Sequence, residues 1–171
     1  LYRTGELKKA MEPLRKFIIN QPDNQHVLEV MGEIFISENR FPEAIDTYNR
    51  ILGIYPEKLE TSLVLAESYY QLKELENAIN VYQNILLFDD ENYEVMIRMG
   101  SIYNELGEYK EAENIINQAI NCTTPTMKMY YQLALTYGNQ GKYMSTVLAF
   151  QEALRIKSDD VEIKYQLGIA Y

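Results

Sequence analysis

A period of 34 residues runs through the whole chain without an insertion or deletion, and it limits what the chain can fold into. Small residues recur at this period within segments that have helical spacing of apolar residues. A glycine inside a helix costs about 0.5–1 kcal/mol relative to alanine, so Gly32 must be offset by the close approach of another backbone. A second small column twelve residues later supplies the expected neighbour, and each period is predicted to fold as two packed helices. The first column is Gly32, Ala66, Gly100, Ala134 and Gly168, and the second is Ala10, Ala44, Ala78, Ala112 and Thr146.

Large apolar residues and turn residues follow the same period. The first helix of each pair carries the aromatic column Phe35, Tyr69, Tyr103, Tyr137 and Tyr171. The second helix carries Tyr48, Tyr82, Ile116 and Phe150. Turns between the two helices are predicted at Gly5, Asn39, Gly107 and Gly141, and Lys73 is the residue in that column without turn chemistry. Pro13 predicts a kink or frayed start in the first helix, or a helix that begins only at Glu12.

These columns resemble the tetratricopeptide repeat, whose signature combines large apolar, small, aromatic, alanine, aromatic and closing proline positions. The resemblance covers the whole chain and implies an all-α fold, a right-handed superhelical solenoid of 34-residue helical hairpins. Two family features are weak: no tryptophan occurs, and the closing proline remains only at Pro22 and Pro56. We expect a single array over residues 1–171 that belongs to a longer chain. Its full repeats are residues 25–58, 59–92, 93–126 and 127–160, with 1–24 the second helix of a preceding repeat and 161–171 the start of another.

The charge balance argues against a nucleic-acid partner. The chain has 16 Lys and Arg against 25 Asp and Glu, a net charge of -9, whereas phosphate binding requires a basic surface. The acids are concentrated: residues 59–92 hold seven acids and one base, Lys73. No apolar run approaches the length of a membrane span, so we expect no insertion into membranes. With Cys122 as the only cysteine, no intrachain disulfide can form, and a cytoplasmic location is expected.

No catalytic motif is present in the sequence. There is no glycine-rich phosphate loop and no cysteine or histidine pair with metal spacing, since His26 and Cys122 are single. We interpret His26 as a surface residue and Cys122 as a packing residue. The chain is therefore expected to be no enzyme and to need no cofactor or metal.

The resemblance implies a binding surface on the concave face formed by the first helices. Acidic side chains there would attract a protein or peptide with basic groups, and tyrosines would give it apolar anchors. We therefore predict a protein-interaction scaffold with a tyrosine-containing acidic groove. The predicted binding residues are Glu29, Glu33, Glu60, Glu67, Tyr70, Glu94, Asn104, Lys128, Tyr131 and Tyr165.

Two binding modes known in the family fail on these residues. The clamp that holds the acidic tail of chaperones needs lysine and asparagine on successive first helices, and the sequence offers acids such as Glu29, Glu33 and Glu94 instead. The asparagine ladder of glycosyltransferase superhelices is absent from the column Val30, Val64, Arg98, Gln132 and Gln166. Three alternatives remain open: a segment that presents substrate to an attached enzyme such as a glycosyltransferase, kinase or phosphatase; a scaffold that self-associates through exposed ends; and a solvated face without a ligand.

Overall fold

The computed structural model describes the backbone of residues 4–170 and the side chains of residues 9–170. Within that range the chain forms ten α-helices and no strand. Successive first helices begin 34 residues apart, as do successive second helices from α3 onward, and the expected class, an all-α repeat of helical hairpins, is confirmed. The aromatic-column position Tyr171 lies outside the described residues. The helices are α1 Thr4–Asn20, α2 Gln25–Ser37, α3 Phe41–Ile54, α4 Leu59–Gln71, α5 Leu75–Phe88, α6 Tyr93–Leu106, α7 Tyr109–Cys122, α8 Met127–Asn139, α9 Tyr143–Ile156 and α10 Val161–Ala170.

The helices form two compact units, which divide between Phe88 and Asp89. Unit 1 contains α1 to α5, and unit 2 contains α6 to α10. In each unit, the second helix of a hairpin packs against its own first helix and against the next first helix of that unit. The core of unit 1 includes Met11, Leu28, Ile34, Phe35, Ala44, Ile45, Tyr48, Ile51 and Leu65. The core of unit 2 includes Ala134, Ala149, Phe150, Ala153 and Ile163.

The small residues of the first helices mark close contacts between helices, but the residues that pack against them differ from the expected ones. A Cβ atom added to Gly32 would lie 2.6 Å from Cζ of Tyr48, and one added to Gly100 would lie 2.6 Å from Cγ1 of Ile116. Each glycine thus receives a large side chain of the second helix, sixteen residues later, rather than the small residue twelve later. At Gly168 no atom lies within 4 Å of the added Cβ, so the close approach expected there is not found among the described residues.

A recurring backbone motif closes each first helix from α2 to α8, and we call it the joint. One residue adopts a left-handed conformation, and the amide of the next residue donates to the carbonyl of the aromatic-column residue. These are the bonds of a Schellman motif. Lys73 adopts φ 61°, although its side chain has no turn preference. The left-handed residues are Asn39, Lys73, Gly107 and Gly141. The donors are Arg40, Glu74, Glu108 and Lys142, with donor to acceptor distances of 2.8, 3.0, 2.8 and 2.9 Å.

Helix α1 runs through Pro13 without interruption. The alternative in which the helix begins at Glu12 is therefore wrong, as is the turn predicted at Gly5, which lies in the first turn of α1. Glycine keeps its backbone amide and carbonyl, so Gly5 can take this helical position at a cost in conformational entropy alone. Pro13 deprives the Lys9 carbonyl of a donor, but both residues are exposed and water can take that place.

Candidate functional site

An ion pair occupies the acidic face of unit 1. Nζ of Lys58 lies 2.5 Å from Oε1 of Glu29, and Nε2 of Gln25 donates to the same oxygen over 2.9 Å. These hydrogen bonds, first that of Lys58 and then that of Gln25, lower the pKa of Glu29. Lys58 immediately precedes α4, so the helix start positions its ammonium beside α2. Glu29, predicted as a binding carboxylate, is therefore largely neutralised by its own chain.

Two further acids beside this pair are exposed. Glu33 lies one turn beyond Glu29 on α2, and Glu60 is the second residue of α4. Neither forms an ion pair with another described residue. Burial, followed by the nearby charges of Glu33 and Glu29, raises the pKa of the Tyr48 hydroxyl to about 12. Both carboxylates are thus close enough to α3 to disfavour the ionised form of Tyr48, which lies in the core.

Glu67 and Tyr70 lie further along α4 and are partly buried. Glu67 accepts a hydrogen bond from Nε2 of Gln71 over 2.8 Å. Nζ of Lys73 lies 5.0 Å from the ring centroid of Tyr70, which places a cation over the ring. Both predicted binding residues therefore already have contacts near the end of their own helix.

In unit 2, two of the predicted residues line one cavity. Its volume is about 290 Å³, and it opens between the first turns of α6 and α8. Glu94 and Lys128 contribute opposite charges to the lining. Arg98, which the sequence analysis did not predict as a binding residue, also lines the cavity. The complete lining is Tyr93, Glu94, Ile97, Arg98, Thr126, Lys128 and Met129.

Asn104 and Tyr131 support the packing of unit 2. Nδ2 of Asn104 donates to Oγ1 of Thr136 over 2.8 Å, which ties α6 to α8. Oδ1 of Asn104 is buried and has no hydrogen-bond partner among the described residues. The Tyr131 ring packs against Phe150 with 5.9 Å between centroids. Burial, then the charges of Glu162 and Asp160, raises the pKa of Tyr131.

Tyr165 differs from the other predicted tyrosines because 65% of its surface is exposed. It lies on α10 between Val161 and Ile169, at spacings of four residues, and these neighbours are 77% and 63% exposed. This apolar stripe of α10 is defined by Val161, Tyr165 and Ile169. Tyr165 is thus the predicted aromatic residue whose ring is available to a partner as it stands.

The described residues offer no group of histidine, cysteine, aspartate and glutamate side chains that could hold a metal ion. Cys122, at the end of α7, is a half-buried free thiol. Among residues 4–170, no helix has the length and apolar character needed to cross a membrane.

The fold and the surfaces on its first helices define the class as a helical-hairpin repeat protein. Family models described as tetratricopeptide repeat match residues 1–58, 73–133 and 128–160. The chain belongs to the tetratricopeptide repeat family. Proteins of this family are generally interaction scaffolds.

Solved structures with the same fold share little sequence with the chain. A tetratricopeptide repeat protein from Parabacteroides merdae has 22% identity and a TM-score of 0.83, over 98% of this chain and 66% of that one. A MamA protein has 23% identity and a TM-score of 0.78, over 88% and 82%. A thermophilic repeat protein of Thermus thermophilus has 19% identity and a TM-score of 0.67, over 97% and 91%. At these identities the likeness concerns the fold alone. No curated protein matches the chain significantly.

Proposed function

We propose that the chain is a non-catalytic interaction scaffold that binds a protein segment with basic groups on the first helices of unit 1. The observation that carries this proposal is the pair of exposed carboxylates, Glu33 and Glu60, that have no cationic partner among the described residues. Membership of a family of interaction scaffolds supports the general role.

Glu33 and Glu60 are better placed to bind a cation than Glu29. A lysine or arginine of the partner could approach Glu33 and Glu60 directly, whereas at Glu29 it would have to displace the ammonium of Lys58. Exposed charges of one sign accelerate association with an oppositely charged segment, and salt screens that attraction. Binding should therefore weaken as ionic strength rises. Glu67 and Tyr70 would extend the contact along α4.

The proposal treats the surface of unit 2 separately. Tyr165 is its apolar anchor, because an exposed tyrosine supplies a large ring and a polar tip at small entropic cost. Glu94 and Lys128 are its polar contacts at the cavity. Asn104 and Tyr131 act through the packing of α6, α8 and α9 rather than by touching the partner.

A charge reversal with a matched control tests the acidic surface. The test variant carries Glu33→Lys and Glu60→Lys. The control carries Asp46→Lys and Glu76→Lys, which change the net charge of the chain by the same amount but lie on second helices. Glu76, like Glu60, is the second residue of its helix. Circular dichroism establishes that both variants are folded.

Affinity capture from native lysate, with elution by increasing salt, then compares the three proteins. We expect a partner that binds the native chain and the control, is lost with the test variant, and elutes as salt rises. Equal capture by the test variant, or elution that does not depend on salt, would contradict the proposed binding surface.

Self-association through the apolar stripe of α10 is a second candidate function. The exposure of Val161, Tyr165 and Ile169 on one helical face favours it, since contiguous apolar surface of this kind marks interaction sites. Sedimentation velocity of the native chain should show a concentration-dependent oligomer that Ile169→Glu removes and Lys164→Glu leaves intact. A native chain that stays monomeric at all concentrations tested excludes this candidate.

A further inference from the structure

We propose that a second copy of the chain packs against unit 2, on a surface that α9 and α10 form together, and that the two copies are related by a two-fold axis. This inference rests on the second candidate function, self-association, and adds a second helix and a symmetry to it. We call the surface the apolar face of unit 2. It is defined by the exposed residues Tyr143, Met144, Leu148, Val161, Tyr165 and Ile169.

The outer side of α9 is apolar where the other second helices are not. Met144 and Leu148 lie one turn apart and are 76% and 58% exposed. In α3 and α7 the same two positions are exposed, although the next first helix of the unit packs against each of these helices. A further hairpin packed against α9 would therefore leave Met144 and Leu148 in water. The residues at these positions in α3, α5 and α7 are Pro42 and Asp46, Glu76 and Asn80, and Lys110 and Asn114.

A second cavity of unit 2 connects the apolar residues of α9 with the stripe of α10. Its volume is about 240 Å³, and it lies between α8, α9 and α10. Tyr143 of α9 and Ile169 of α10 both line it, together with the buried ring of Phe150. None of the described residues that line this cavity is charged. The apolar surface therefore continues from one helix to the other.

Small side chains leave this second cavity open. One period earlier, Nδ2 of Asn104 on α6 donates to Oγ1 of Thr136 on α8 over 2.8 Å. The equivalent residues on α8 and α10 are Gly138 and Ala170, which both line the cavity and have no side chain that could form this hydrogen bond. The place that a polar contact takes between α6 and α8 is thus free to receive an apolar side chain of the second copy.

The area of the apolar face favours a second copy as its occupant. Its six residues are between 58% and 77% exposed. A large apolar residue presents about 150–250 Å² when fully exposed, so the face amounts to roughly 600–1,000 Å². The largest apolar patch on a typical monomer covers about 300–600 Å², whereas each partner in a stable interface buries about 800 Å². The face therefore has the size of one side of a dimer interface.

The charge distribution also favours pairing through this part of the chain. Of the 16 Lys and Arg and the 25 Asp and Glu, four of each lie in residues 142–170. The net charge of -9 therefore belongs entirely to residues 1–141. Like charges oppose the association of two acidic chains, and this opposition is weakest at a neutral surface. A neutral apolar surface can also face a copy of itself, as a two-fold interface requires.

Sedimentation velocity of the complete chain over a range of concentrations tests the size of the assembly. A two-fold interface uses the same surface on both copies, so the assembly closes at two. We expect a monomer in exchange with a species of twice the 20.0 kDa mass of the chain, and no larger species.

Variants then tie the dimer to α9. Met144→Lys combined with Leu148→Asn installs the residues that α7 carries at these positions, and it should raise the dissociation constant of the dimer at least about tenfold, because each change occurs twice in a symmetric pair. The control, Phe88→Lys with Leu87→Asn, introduces the same two polar residues at the exposed end of α5, and its dissociation constant should stay within about twofold of the native value. If the test variant is not helical by circular dichroism, Leu148→Asn alone replaces it, with a smaller loss of the same sign.

Several results would overturn the inference. A native chain that stays monomeric up to about 1 mM would leave the apolar face to a different protein, and growth beyond two copies would exclude the two-fold axis. Native affinity in the α9 variants, or equal loss in the control, would refute the contact through α9. A dimer that persists in the α9 variants but dissociates in Ile169→Glu would leave self-association through α10 standing. The lysate capture at Glu33 and Glu60 concerns unit 1, so its outcome is read independently.

Discussion

Replacing Lys73 by glycine should stabilise the chain relative to alanine at the same position. Lys73 adopts φ 61° in the joint between α4 and α5. A left-handed conformation costs a residue with a Cβ about 1–2 kcal/mol, and glycine avoids this cost. The greater freedom of glycine in the unfolded chain offsets about 0.4–1 kcal/mol of that advantage. The net gain of Lys73→Gly over Lys73→Ala is about 0.5–1 kcal/mol. Alanine is the right reference, because both variants lose the contact of Lys73 with Tyr70, whereas only glycine relieves the backbone.

Guanidinium denaturation followed by helical circular dichroism measures this difference, and the exchange rate of the Glu74 amide, whose bond to Tyr69 closes the joint, reports it locally. The reciprocal change Gly107→Ala should destabilise by a similar amount. Gly107 adopts φ 78°, and beyond its two chain neighbours no atom of the described residues lies within 4 Å of the added Cβ, so the expected cost is backbone strain. Equal stability of Lys73→Gly and Lys73→Ala, or a Gly107→Ala variant as stable as the native chain, would refute the assignment of strain to this joint.

Three further predictions concern packing and protonation. Gly100→Ala should destabilise the chain by about 1–3 kcal/mol in the same denaturation experiment, because the new Cβ would lie 2.6 Å from Cγ1 and 2.9 Å from Cδ1 of Ile116. Ile116→Val removes Cδ1 and should recover part of the loss. Since the pKa of Glu29 is below its ordinary value near 4.5, its ion pair stabilises the fold above that pH and loses this contribution as pH falls; Lys58→Met should bring the pKa back towards 4.5 in an NMR titration. The raised pKa of Tyr48, about 12, means that the unfolded chain ionises first, so stability falls as pH rises from 10 towards 12. A spectrophotometric titration of Tyr48→Phe should lose one tyrosine step near pH 12, and an unchanged profile would contradict this.

The architecture could be predicted because it depends on patterns that are local in sequence. Helix spacing, the small column and three of the four joint residues, Asn39, Gly107 and Gly141, each reflect a preference of the residue itself. Lys73 has no such preference, yet it adopts the same conformation. The hydrogen bonds of the joint and the packing of α4 against α5 impose that geometry on any residue at this position.

The candidate site was predicted less completely because it depends on contacts between residues that are distant in sequence. The partner of Glu29 is Lys58, which is 29 residues away and precedes the helix whose start places it beside α2. Asn104 bonds to Thr136 across 32 residues, and a periodic pattern cannot show which polar side chains pair in this way. A column comparison of charges would have indicated the cavity, since Lys128 reverses the sign of Glu60 at the equivalent position.

The residue that packs against Gly32 was also predicted incorrectly. Matching one small column with the other suggested Ala44, whereas the glycine receives the ring of Tyr48 one turn further along α3. Sequence spacing identifies a face, but the tilt between two helices decides which turn of that face makes contact. The sequence pattern therefore predicted a close approach without its correct occupant.

The joints give every hairpin the same internal turn between its first and second helix. Each one is closed by main-chain bonds, and the same closing geometry recurs at 34-residue intervals from Asn39 to Gly141. A gene duplication or deletion of one whole period would therefore transfer a hairpin with its closure already encoded, whatever its surface residues are. Lineages could lengthen or shorten such a protein by whole hairpins while selection alters the charges on its first helices independently, as the contrast between Glu60 and Lys128 illustrates within one chain.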